Sequence, residues 1–350
     1  MRLNKLDSGK GKRMPPVDEP HRLFRAFSLA IVLIFMGQLA YAGSIRDRIM
    51  ERYIAEHSGN IEDDDASGSV PLPAGAQLLR DVPYGKDEQQ RMDVYLPRQA
   101  AGAPVIFMVH GGGWRRGDKS SKTVVENKMT RWVSRGFIFI STNYRLLPKA
   151  DPLQQAQDIA HALATAQDKA ASWGGDPTKF ILMGHSAGAH LVALLTASPT
   201  MALRMGARPW LGTISLDSAA LDVVQIMEAR HLRLYDQAFG SDASYWEKVS
   251  PYHALAANAF PFLAVCSTRR SDSCQQAHEF AAKAASLKVR ASVLEQDLSH
   301  KEINQQLGAA GAYTDAVESF MGSLDASVMR KLANQSGTSN LTVHSIQPQP

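Results

Sequence analysis

Gly184-His185-Ser186-Ala187-Gly188 lies between the apolar run Lys179-Phe180-Ile181-Leu182-Met183 and the helix-forming Ala187-Gly188-Ala189-His190-Leu191-Val192-Ala193-Leu194-Leu195. A strand, a sharp turn carrying a serine, then a helix is the setting in which Gly-x-Ser-x-Gly presents a nucleophile elbow. Glycine is required where backbone and helix crowd the turn, and the serine is held in a strained conformation. The bare pattern arises by chance in roughly one chain in ten of this length. Its meaning therefore rests on whether the chain also supplies an oxyanion hole, an acid and a base.

Working outward, apolar strand-like runs alternate with helical patterns. Leu78–Tyr84 and Arg91–Leu96 read as two strands joined across Gly85-Lys86-Asp87-Glu88. Pro104–Val109 precedes a helix near Ser121–Arg135, and Phe137–Thr142 precedes one near Leu153–Trp173. Gly212–Leu216 leads into an irregular helical stretch, Phe262–Cys266 into Gln275–Leu287, and Ala291–Leu294 into Tyr313–Leu324. This alternation predicts an α/β fold, a mostly parallel eight-stranded sheet flanked by helices, with a small helical insertion after the sixth strand. Sites in such sheets form beyond the carboxyl ends of the strands. The insertion, 219–260, holds Tyr235, Phe239, Tyr245, Trp246 and Tyr252. It reads equally as a cap over the site or as surface packing.

His110-Gly111-Gly112-Gly113-Trp114 follows a buried-type strand. Three consecutive glycines let backbone N–H groups face a cavity, as an oxyanion hole requires. The other readings are a flexible turn or a phosphate cradle, but no Gly-Lys-Ser/Thr follows. For the acid, Asp272 is expected on a loop after the strand ending at Cys266, with helix N-cap as its ordinary role. Asp217 and Asp222, after the preceding strand, compete with it. His300 follows the last strand and precedes the last helix, where a base can reach the elbow. The order Ser186, Asp272, His300 is the one this architecture uses. His185, His190 and the other histidines lack metal-ligand spacing, so neither a metal site nor a cofactor is expected.

The formal charge of +4 resides in the first 42 residues, where Arg2, Lys5, Lys10, Lys12, Arg13, Arg22 and Arg25 outnumber Asp7, Asp18 and Glu19. The rest is balanced, so nothing asks for a nucleic-acid partner. The basic segment, the apolar run Phe27–Met36 and Ala40-Tyr41-Ala42 predict a signal peptide over 1–42, cleaved before Gly43, or else an uncleaved membrane anchor. Either way the catalytic part is expected outside the cytoplasm, periplasmic or secreted, meeting a membrane only through an uncleaved leader. Residues 43–76 read as a linker, 77–325 as the catalytic domain and 326–350 as a disordered tail. Cys266 and Cys274 are the only cysteines. After export they can close a local disulfide; the alternative is two free thiols. Oligomeric state is not legible.

Several stretches together resemble the α/β-hydrolase superfamily. They are Met92-Asp93-Val94-Tyr95-Leu96-Pro97, the HGGGW segment, Asn143-Tyr144-Arg145-Leu146, Trp173-Gly174-Gly175-Asp176-Pro177, Gly184–Gly188, Phe239-Gly240 and Ser250-Pro251. Within it the chain looks like the esterase/lipase branch that includes hormone-sensitive-lipase-type carboxylesterases and kynurenine-formamidase-like enzymes. The resemblance covers roughly 77–325. It implies Ser186 as nucleophile, His300 as base, Asp272 as orienting acid, and Gly112, Gly113 and Ala187 as N–H donors to the oxyanion. Arg269-Arg270-Ser271 departs from the small or acidic residues more usual before that acid. The activity expected is a serine carboxylic-ester hydrolase working through an acyl-enzyme on small or medium ester substrates. An arylformamidase or amide hydrolase on the same residues is one alternative. A non-catalytic small-molecule binder, like the plant gibberellin receptors that lack the histidine base, is the other.

Overall fold

The computed structural model describes residues 70–218 and 220–333. The expected leader, most of the linker and the tail beyond 333 lie outside the described residues. Eight strands form one sheet in the order β1-β2-β4-β3-β5-β6-β7-β8. They are β1 (Gln77–Pro83), β2 (Arg91–Leu96), β3 (Ala103–Val109), β4 (Ile138–Thr142), β5 (Gly175–His185), β6 (Gly212–Leu216), β7 (Phe262–Ser267) and β8 (Ala291–Gln296). β1 and β2 join antiparallel, and β3 to β8 run parallel.

The continuous apolar runs follow from burial on both faces. All seven residues of β3 are buried. Val105, Phe107 and Val109 face one core cluster, while Ile106 and Met108 face another. Phe180 and Leu182 on β5 divide from Ile181 and Met183 in the same way. A strand with helices over both faces has no solvent side to mark with polar residues.

Register then sets the site. Val109 pairs with Gly184, Gly184 with Ser215 and His185 with Leu216. His110, Ser186 and Asp217 therefore leave the sheet side by side at its carboxyl edge. The insertion after β6 is helical, as expected: α-helices span Val223–Glu228, Arg233–Phe239, Ala243–Val249 and Pro251–Ala254.

Two expectations are corrected. Residues Ala326–Ala333 form a helix rather than a disordered tail. Asp325 accepts from the backbone of Ser327 and Val328 at its start, Val328 is fully buried, and Leu332 packs on the core. The helix after β7 spans Ser271–Ser286, four residues earlier than the apolar pattern places it.

Cys266 and Cys274 are joined in a disulfide, with Cα atoms 5.1 Å apart. It ties the end of β7 to the first turn of the following helix and encloses Arg269 and Arg270. In the chain-entropy account a loop this short contributes about 2.5 kcal/mol. The Cys266→Ser/Cys274→Ser variant is expected to lose that amount in a non-reducing urea melt, and dithiothreitol should shift the wild type equally. An unchanged midpoint in both cases would show that the bond contributes nothing.

Candidate active site

Ser186 lies between the end of β5 and the helix Ala187–Ala197, with φ 54° and ψ −119°. A side chain at positive φ is strained by about 1–3 kcal/mol and persists only where neighbours enforce it. Here the Ser186 N–H donates to Leu216 O at 3.0 Å, and Ser186 O accepts from His190 N at 3.1 Å. A Cβ on Gly184 would lie 2.4 Å from Gly188 O, and one on Gly188 2.3 Å from Val109 O. The elbow therefore admits no side chain at either glycine.

Gly112 and Gly113 have φ of 111° and 59°, open to glycine alone at little strain. Among the described backbone, neither donates its N–H to a carbonyl. Gly113 and Ala187 line the pocket beside Ser186, whereas Gly112 is not among the lining residues. A Cβ on Gly112 would lie 2.2 Å from Arg116 O, so the turn is packed against its own return.

His300 is the first residue of a helix, His300–Gln306, rather than a loop residue. Ser299 caps that helix, accepting from Glu302 N while Glu302 accepts from Ser299 N at 2.8 Å, a reciprocal capping box. Arg269 bonds Asp297 at 2.8 Å and Glu302 at 3.1 Å, tying the loop after β7 to this turn. His185 adds a third restraint, its Nε2 lying 2.9 Å from His300 O with the rings 4.4 Å apart. His300 is thus held by three chain segments.

Asp272 does not reach it, which corrects the expected acid. His300 Nδ1 lies 2.6 Å from Asp217 Oδ2. Because the helix begins at Ser271, Asp272 occupies its first turn with the side chain 56% exposed, 3.8 Å from Arg270 Nε. The next residue, Ser273, turns inward and donates to Asp217 Oδ1. Successive helix residues point about 100° apart, so an early helix start exchanges the two. Asp217 also accepts from Ser267 N at 2.8 Å and has φ 52°. Asp222, the other competitor, caps Val223–Glu228 instead.

Asp217 is fully buried. Burial pushes its carboxyl pKa up, but the Arg270 guanidinium, then His300 and Ser273, outweigh that and hold it well below the usual carboxylate range. Arg270 is the residue that sequence reading missed. Its Nη1 lies 2.8 Å from Asp217 Oδ2 and 2.7 Å from His300 Nδ1. The two contacts at Nδ1 exclude each other: with a hydrogen it donates to Asp217, and bare it accepts from Arg270. Only the first leaves Nε2 bare to take a proton.

The pocket is lined by Gly113, Trp114, Ser186, Ala187, Asp217 and Ser218, with Ala220, Leu232, Leu234, Tyr235, Arg270 and His300 completing it. The space these residues surround, open solvent at its mouth included, is about 460 Å³. Leu232, Leu234 and Tyr235 come from the insertion, which therefore covers the site. Phe239 packs behind Trp114 at 4.9 Å, and Tyr245 accepts from Leu153 N at 3.2 Å. Trp246 donates to Gly240 O, and Tyr252 lies under Lys283. Of the insertion's aromatics only Tyr235 lines the pocket.

Trp114 is fixed from below by His190, whose Nδ1 accepts from its Nε1 at 3.1 Å. The His190 hydrogen is then on Nε2, 2.7 Å from Val249 O. Burial pushes this histidine down to about 4 from 6.5. Between those values the unfolded chain takes up a proton that the native one refuses, so stability is present above 6.5 and falls as pH drops. The loss should reach about 3 kcal/mol near pH 4. Urea melts at pH 7 and pH 4 should show it, and His190→Asn should remove this component of the slope; an equal slope in that variant would contradict the assignment.

No group of metal-ligating side chains occurs among the described residues. Residues 92–208 match the BD-FAE family model. A probable isoprenylcysteine alpha-carbonyl methylesterase of Oryza sativa subsp. japonica is 33% identical over 119 residues, covering 34% of this chain and 27% of that one. A kynurenine formamidase of Danio rerio is 29% identical over 133 residues, covering 38% and 43%. The alignments thus span less than half of either relative. Among solved structures, esterase B from Lactobacillus Rhamnosis superposes with TM-score 0.60 at 18% identity, over 87% of this chain and 98% of that one.

Proposed function

We propose that this chain, an α/β-hydrolase in fold, is a serine hydrolase that cleaves carboxylic esters through an acyl-enzyme. The observation that carries the reading is the buried Asp217–His300 pair at 2.6 Å, lining the same pocket as the strained Ser186. Ser186 Oγ attacks the ester carbonyl while His300 Nε2 takes its proton. Asp217 holds the Nδ1–H tautomer and balances the imidazolium that forms. The N–H groups of Gly113 and Ala187, with Gly112 as the further candidate, receive the oxyanion. His300 then gives its proton to the leaving alcohol, and water repeats the sequence on the acyl group.

The apolar wall of Trp114, Leu232, Leu234 and Tyr235 around Ser186 leaves little enclosed space and favours small or medium esters. The apolar leader and the Cys266–Cys274 bond support a site of action outside the cytoplasm. The likeness to a kynurenine formamidase favours a formamide as the second reading.

Hydrolysis of a p-nitrophenyl ester series from acetyl to long acyl, with a feruloyl ester and N-formylkynurenine alongside, tests the reading. Turnover of the short and medium esters, falling at long acyl, is expected. Turnover confined to N-formylkynurenine would replace it with the formamidase reading. Tight binding of a small molecule without turnover of any substrate would replace both with a binding role.

A further inference from the structure

We propose that the Arg270 guanidinium receives a carboxylate of the substrate, so that the pocket selects esters carrying a second, free acid group. The inference rests on the ester-hydrolase reading and names a substrate class for it.

Arg270 is the one permanently charged cation among the pocket-lining residues. Its side chain is 13% exposed, and the residue lines the pocket with Ser186 and His300. Nη1 is committed: it meets Asp217 Oδ2 at 2.8 Å, Asp217 O at 3.4 Å and His300 Nδ1 at 2.7 Å. Nε has Asp272 at 3.8 Å, beyond hydrogen-bond reach. Nη2 bonds no described residue. A guanidinium presents its donors in a fixed planar fork that matches a carboxylate, and here the unfilled side of the fork belongs to a pocket residue.

The pairing with Asp217 accounts for Nη1 on the carboxylate, but its contact with Nδ1 has no use with a neutral substrate. Positive charge develops on His300 during attack, and a cation already touching Nδ1 opposes it. With Nη1 donating to Nδ1, the hydrogen of His300 resides on Nε2, the nitrogen that must accept from Ser186. A substrate carboxylate on Nη2 offsets the charge of the guanidinium and draws it off Nδ1, leaving that position to Asp217. Substrate charge then acts on kcat as well as on KM. The disulfide and the Arg269 contacts hold the loop, so the side chain and not the backbone makes this adjustment.

The test pairs esters that differ in one carboxylate. On the acyl side, p-nitrophenyl butyrate, valerate and caproate are set against the mono-p-nitrophenyl esters of succinate, glutarate and adipate. On the alcohol side, phenyl acetate is set against 4-acetoxybenzoate. All rates are divided by the hydroxide-catalysed rate, and the two arms say which half of the substrate carries the acid. For wild type we expect kcat/KM to favour the acid by about tenfold or more in at least one pair, the scale of one charge-assisted hydrogen bond. Arg270→Gln should abolish the preference by lowering the acid member's kcat/KM at least tenfold more than it changes the neutral member's, and Arg270→Lys should keep part of it. Wild type cleaving neutral and acidic members equally would overturn the proposal and leave the ester reading standing. So would an Arg270→Gln variant that loses both members alike, which would make Arg270 a support for Asp217. Failure of wild type on every ester would overturn both. Should Arg270→Gln fail to fold, the wild-type preference and its competitive inhibition by free glutarate, absent with valeramide, still decide.

Discussion

Ser186→Ala is expected to lower kcat on p-nitrophenyl butyrate by about 10⁶-fold, with the protein folded and its melting curve unchanged. The magnitude follows from losing the only atom that forms the acyl-enzyme, after which oxyanion stabilisation and binding alone leave a residual rate. Alanine retains the backbone that Ser186 adopts at φ 54°, so the elbow strain is the same in both proteins. Wild-type turnover in this variant would remove the mechanism altogether.

The second expected result separates Asp217 from Asp272. Asp217→Asn should reduce kcat by about 10⁴-fold, because an amide can no longer hold the Nδ1–H tautomer or balance the imidazolium. Asp272→Asn should leave kcat on neutral esters within about threefold, the carboxylate being more than half exposed and at the surface of its helix. Melting curves are needed for Asp217→Asn, since Arg270, Ser267 and Ser273 all bond that carboxylate. The reverse ranking would restore Asp272 as the acid.

The difference between those aspartates shows where sequence reading stops. Strand–turn–helix punctuation around Ser186 and His110–Trp114 is local, and its register needs only that β3, β5 and β6 be parallel neighbours. Choosing the acid depended on one helix boundary. Ser271, Asp272 and Ser273 carry no apolar residue to mark a helix start, so the periodic pattern begins only near Ala277 and Phe280. Starting the helix at Ser271 turns Asp272 outward and Ser273 inward, and passes the position against His300 to Asp217. The signal for Asp217 was its place immediately after β6, one step beyond the residue that pairs with His185. Arg270 depends on the same boundary and on a disulfide that sequence leaves optional. The helix Ala326–Ala333 was legible in part: Asp325 at its start and Val328 and Leu332 four apart are an N-cap and an apolar stripe. Its polar composition outweighed them.

Covalent capture of the nucleophile tests the central claim most directly. Wild type treated with a p-nitrophenyl alkylphosphonate should gain one phosphonyl group per chain by intact mass, release one p-nitrophenolate and lose esterase activity in step. Peptide mapping should place the group on Ser186, and Ser186→Ala should gain none. Ester turnover that survives the reagent, or an adduct on another residue such as Ser218, would contradict the account.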